Sequence, residues 1–95
     1  MRLKREMADF LKDEIKKLLP DAEVYLFGSR VYHHKRGGDI DILVIGNRKL
    51  TLPEKRRIRI EFFKRFGEQK LDIVSFSRDE ESAFKELALK EGVKL

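Results

Sequence analysis

Asp39 and Asp41 stand two positions apart where the chain enters Ile40 to Ile45, a run that is apolar at every position but Asp41. Residues two apart in an extended chain project from the same face, so the two carboxylates are expected together and partly buried. Asp72 lies at the start of another strand-like run, Leu71 to Phe76. Carboxylates brought close together repel strongly. A hard divalent cation resolves this, because Mg²⁺ takes carboxylate oxygens and keeps positions open for phosphate oxygens. Two such ions about 4 Å apart polarise both the attacking and the leaving oxygen of a phosphoryl or nucleotidyl transfer.

A second chemical feature precedes the acids. Gly28-Ser29 ends the short apolar run Val24 to Phe27. Glycine there lets backbone approach a ligand closely, and the serine adds an N–H and a hydroxyl, a combination suited to a triphosphate. Arg30, Lys35 and Arg36 surround this turn with positive charge, which balances phosphates or attracts an acidic acceptor.

These groups act together only if the elements bearing them meet. Leu3, Met7, Phe10, Leu11, Ile15, Leu18 and Leu19 recur at helical spacing ahead of Pro20 and predict an amphipathic helix. Val24 to Phe27 reads as a strand. Ile40 to Ile45 reads as a strand covered on both faces, at the sheet centre. Thr51 and Glu54 form a capping box for a second helix, with Ile58, Phe62, Phe63 and Phe66 as its buried stripe and Gly67 as its end. Leu71 to Phe76 is the third strand. Ser77 and Glu80 repeat the capping-box spacing before a last helix that carries Phe84, Leu87 and Ala88 and ends near Gly92.

The expected class is therefore α/β (α+β), in the order α-β-β-α-β-α, with helices packed on a small mixed sheet of three or four strands. Strands joined by a helical crossover are normally parallel, so the second and third strands start at one sheet edge. An antiparallel first strand ends at that same edge. Gly28, Asp39, Asp41 and Asp72 then converge.

Singly, each feature has an ordinary reading: Gly-Ser is a common turn and Asp-Ile-Asp a common strand start. Together they leave three acids at one edge without counter-charge unless a cation binds. The runs Leu26-Phe27-Gly28-Ser29-Arg30, Gly38-Asp39-Ile40-Asp41-Ile42-Leu43-Val44 and Leu71-Asp72-Ile73-Val74 resemble the minimal nucleotidyltransferase family of the DNA polymerase beta superfamily. The resemblance covers nearly the whole chain. The loop from Ser29 to Asp39 is one residue shorter than in many members and resembles a subgroup with an Arg-Gly-Gly-Asp-Ile-Asp run and a Gly-Val-x-Leu ending, here Arg36 to Asp41 and Gly92 to Leu95.

The resemblance implies Mg²⁺-dependent transfer of a nucleoside monophosphate, AMP from ATP, to a hydroxyl. Gly28, Ser29 and Arg30 would bind the nucleotide. Asp39 and Asp41 would hold both metal ions, and Asp72 the ion that activates the acceptor. It also implies a helical HEPN-type partner protein and an antitoxin role, in which the acceptor is a tyrosine of that partner. Two other readings stand beside it. One is a non-catalytic nucleotide-binding or partner-capping subunit, and the other a nucleic-acid-binding module using the basic run Lys55 to Arg59.

Composition bounds these readings. A chain of 95 residues, 41% apolar and 41% charged, predicts one domain over 1–95. The absence of cysteine excludes disulfides and thiolate metal sites and makes the cytosol the expected compartment. No apolar run reaches the roughly 18 residues of a membrane span. The net charge of +5 comes from interspersed signs and decides little alone. His33 and His34, adjacent in a loop, read as solvated rather than as ligands, since neighbouring side chains rarely converge on one ion. Glu54 and Glu61 on the second helix favour a solvated face over a nucleic-acid track. Phe62, Phe63 and Phe66 read as core, and Tyr25 and Tyr32 as packing or modification sites alike. A domain this small takes much of its substrate selection from another chain, a helical partner or a second copy.

Overall fold

The helical spacing between Leu3 and Leu19 forms α1, Arg5–Leu18, in a computed structural model that describes residues 3–28 and 39–95. Ala8, Leu11 and Ile15 are its buried stripe, and it stops where Leu19 leaves helical geometry ahead of Pro20. The chain continues through β1 (Glu23–Phe27), β2 (Asp39–Gly46), α2 (Leu52–Phe66), β3 (Lys70–Ser77), α3 (Ala83–Glu91) and β4 (Val93–Lys94). The strands make one sheet in the order β3-β2-β1-β4. As the topology requires, β1 runs antiparallel to β2 and β3 runs parallel to it, joined by α2. The added β4 pairs antiparallel with β1 through Tyr25 and Leu26.

The capping box of α2 is complete. Thr51 Oγ1 accepts from the Glu54 N–H at 3.2 Å, and a Glu54 carboxylate oxygen accepts from the Thr51 N–H at 2.8 Å. Arg48 then donates two guanidinium bonds to Glu54, both at 2.9 Å. Such a cap contributes on the order of 1 kcal/mol, and it fixes where the β2–β3 crossover begins. Gly67 ends the helix, its N–H donating to the Phe63 carbonyl at 2.8 Å.

The sheet has two unlike faces. On the first, α1 and α2 cover Val24, Leu26, Ile40, Ile42, Val44, Leu71 and Ile73 with Leu11, Ile15, Ile58 and Phe62. On the second, α3 lays Ala88 against Leu43 and Ile45, with Tyr25, Phe27, Val74 and Phe76 alongside. β2 is therefore covered on both faces only from Ile42 onward. Ahead of that, Asp39 and Asp41 occupy the second face beyond the reach of α3 and are partly exposed.

Two local expectations are corrected. Phe63 is 52% exposed rather than part of the buried stripe, because it stands about 100° around the helix from Phe62, off the line through Ile58, Phe62 and Phe66. The last helix is capped by Ser82, whose hydroxyl accepts from the Lys85 N–H at 3.2 Å. Ser77 and Glu80 instead close a turn, with the Ser77 N–H donating to the Glu80 carboxylate at 3.4 Å. The cause is Lys85, which is buried and donates from Nζ to the carbonyls of Arg78 at 2.9 Å and Glu80 at 2.8 Å, holding that segment as a turn around its ammonium.

Candidate active site

The end of β1 and the starts of β2 and β3 meet in one row across the sheet. Phe27 is the register partner of Asp41, and Asp41 that of Asp72. One pleat earlier, Asp39 faces Lys70. Strand alternation puts Asp39, Asp41 and Asp72 on the second face, while Ile40, Leu71 and Ile42 anchor the same backbone into the first.

Gly28 follows Phe27 with φ +80, in the left-handed region that side chains disfavour. A Cβ placed there would stand 2.5 Å from Asp41 Oδ2. Glycine thus serves twice: it makes the turn, and it leaves the space that the Asp41 carboxylate occupies. The turn and the acids are parts of one site.

Electrostatically the row is under tension. Burial pushes the Asp41 carboxyl above the usual carboxylate range, and the charges of Asp72 and then Asp39 push the same way. A hydrogen bond between the Asp41 and Asp72 carboxyls adds to this, and Lys70 opposes it. Lys70 Nζ also lies 3.8 Å from Asp39 Oδ2. Sequence reasoning passed over this lysine, although it precedes Asp72 by the same two positions that separate Asp39 from Asp41.

Three hard oxygen-donating side chains on one face match Mg²⁺ in donor type, and a cation would take the place of the proton that burial and repulsion favour on Asp41. Among the described residues no group of three or more His, Cys, Asp or Glu is drawn tightly enough to hold an ion. Asp41 pairs with Asp72, while Asp39 lies against Lys70. Beside them a groove of about 650 Å³ follows the outer edge of β3, lined by Lys70, Asp72, Leu52, Lys55 and Arg59. Lys55 and Arg59, from the basic run of α2, therefore look onto the site's margin. Arg56 and Arg57 instead line a separate cleft with Pro53 and Ile60. Ser29, Arg30, Tyr32, His33, His34, Lys35 and Arg36 lie outside the described residues.

The family model of the nucleotidyltransferase domain matches residues 8–95. The chain belongs to that family. Its fold also matches solved structures. Two are mutant forms described as the toxin–antitoxin MntA-HpeT, at 22% identity and TM-score 0.72 over 98% of this chain and 72% of that one, and at 19% and 0.70 over 97% and 71%. A third, from Shewanella oneidensis, gives 20% identity and TM-score 0.64 over 97% and 71%. A comparison with curated proteins yields no match. No helix among the described residues is long and apolar enough to cross a membrane.

Proposed function

We propose that the chain is a Mg²⁺-dependent nucleotidyltransferase that moves a nucleoside monophosphate, AMP from ATP, onto a hydroxyl of a partner protein. The observation that carries this reading is the row Gly28, Asp41, Asp72, in which a left-handed glycine makes room for a carboxylate that burial and its neighbours discourage from ionising. That arrangement costs free energy in the empty protein, as sites built for a cation do.

Asp39 and Asp41 would bind both ions and Asp72 the one nearer the acceptor. The ions would supply charge stabilisation at the α-phosphate and the leaving pyrophosphate. Gly28, with Ser29 and Arg30, would hold the β and γ phosphates through backbone N–H groups and positive charge. The acceptor oxygen attacks the α-phosphorus, the bond to pyrophosphate breaks, and Asp72 takes the hydroxyl proton. Lys70, ion-paired with Asp39 at 3.8 Å, is the counter-charge that a cation there would displace. The groove along β3, with Lys55 and Arg59 on its wall, leaves the approach to Asp72 open for the acceptor.

Two of the similar structures are of a toxin–antitoxin assembly. This supports an acceptor on a partner, of the helical HEPN type that the sequence resemblance implies, with this chain as the antitoxin. The test is incubation with Mg²⁺ and each labelled triphosphate in turn, with and without the protein encoded beside it. Label on the partner and pyrophosphate in solution are expected. No transfer under any of these conditions contradicts the proposal.

A further inference from the structure

We infer that Phe84, near the start of α3, is the platform on which the nucleobase of the bound nucleoside triphosphate stacks. The inference rests on the nucleotidyltransferase reading of the carboxylate row and adds a residue that no motif marks.

Five large apolar side chains are exposed among the described residues: Leu52, Ile60, Phe63, Phe84 and Leu87. The first three belong to α2, and among the described residues Phe63 meets no other ring. Phe84 differs in being held. Its ring stands edge-on to Phe27, centroids 5.6 Å apart at 83°, and lies 6.3 Å from Phe76 at 34°. Two rings fix its position, yet 47% of it remains exposed. An aromatic surface that is both rigid and accessible has paid its ordering cost before a ligand arrives.

Its place in the fold aims that surface at the site. Phe27 is the register partner of Asp41 and the residue before Gly28. One of the two rings that buttress Phe84 therefore belongs to the same row as the carboxylates, and the other, Phe76, to the row of Ile45. The cluster under α3 holds Leu43 and Ile45 with Tyr25, Phe27, Val74 and Phe76 around them, and Phe84, against Phe27, stands where that cover meets the row of the acids. Among the described residues, Phe84 is the exposed ring that packs against this row, so a nucleotide with its phosphates at Gly28 and Asp41 has it as an aromatic wall. Leu87, 56% exposed and one turn further along α3, extends the apolar surface. Stacking on a ring accepts any base, because every base presents a π-face. No hydrogen-bonding side chain need be dedicated to the base.

The chain contains no tryptophan, so Phe84→Trp introduces a single indole at the proposed contact. This variant is titrated with Mg²⁺ and the α,β-methylene analogue of ATP, and separately with Mg²⁺ and inorganic tripolyphosphate, following indole emission and, by calorimetry, binding itself. The inference expects both ligands to bind and only the nucleotide to change the emission. In parallel, Phe84→Ala should weaken the nucleotide about tenfold and leave tripolyphosphate unchanged. Phe84→Leu, which keeps bulk but has no ring, should behave like the alanine variant, and it decides the matter if alanine disturbs α3. If both ligands bind, emission is silent and the substitutions bind nucleotide as the unaltered protein does, the base lies elsewhere. The inference then falls while the nucleotidyltransferase reading stands, leaving the Phe84–Leu87 surface to a partner protein. If neither ligand binds the unaltered protein, both fail.

Discussion

The two faces of the sheet use the same strands for opposite ends. On the first, alternate residues of β1, β2 and β3 are apolar but for Ser75, whose hydroxyl accepts from the buried Leu50 N–H, and lie under α1 and α2, with Leu26, Ile40, Ile42 and Phe62 fully buried. On the second, the same strands change character along their length: Leu43 and Ile45 are packed under α3, whereas Asp41 and Asp72, on the same face, are partly exposed carboxyls. The lesson is that the site needs no separate architecture. A helix that stops short leaves one row of a well-anchored sheet uncovered, and the continuous core behind it keeps mutually repelling acids in place.

Neutralising one acid should affect the open row and leave the packed face as it is. Asp41→Asn should lower nucleotidyl transfer about a thousandfold without lowering Tm. Because the Asp41 carboxyl is pushed upward, its ionised form costs stability. The cost is present above the raised pKa and disappears as pH falls below the unfolded value. The Asn variant should therefore melt at or above the temperature of the unaltered protein near neutrality, and the difference should fade towards pH 4. A marked fall in Tm would assign Asp41 to the core instead.

The opposite response is expected from the first face. Phe62, fully buried between Phe10 and Phe66 with centroids at 6.0 and 4.8 Å, should cost about 3–5 kcal/mol on truncation to alanine. Phe84→Ala on the half-open face should cost only about 1 kcal/mol. Urea denaturation of the two variants measures the contrast, and equal losses would erase the distinction between the faces. Gly28→Ala should lose about 1–2 kcal/mol through its left-handed backbone and displace the Asp41 carboxylate as well, so transfer and stability fall together in paired assays.

The smallest effect concerns the crossover helix. Arg48, then the Thr51 N–H, hold the Glu54 carboxyl down at about 2. A depressed carboxyl stabilises the fold above its unfolded pKa of about 4.3, and that contribution is lost as pH falls towards the folded value. Glu54→Gln should cost about 1 kcal/mol near neutrality, a figure kept small by solvent screening of the exposed Arg48, and nothing below about pH 2. Denaturation curves across that range show whether the gap closes.

Much of this was legible in the sequence because the relevant signals are local or periodic. The acids at Asp39, Asp41 and Asp72, the glycine turn and the Thr51 cap each announce themselves within a few residues, and crossover handedness then brings the strands into line. What escaped depended on tertiary partners. β4 is two residues long and exists only because β1 offers it an edge. The Ser77–Glu80 spacing resembles a helix start, but the buried ammonium of Lys85, reaching back to the Arg78 and Glu80 carbonyls, holds that segment as a turn, and α3 begins at Ser82. Lys70 carries no motif of its own, and its part in the site rests on its register partner, Asp39.

The central claim is that the uncovered row binds a cation together with a nucleotide, and one measurement addresses it without knowledge of the acceptor. Tm is recorded for the unaltered chain and for Asp41→Asn with Mg²⁺ alone, with the α,β-methylene analogue of ATP alone, and with both. A rise of roughly 7 °C is expected for the unaltered chain when both are present at about ten times the dissociation constant, and none for Asp41→Asn. An equal rise in both proteins, or none in either, would contradict the claim.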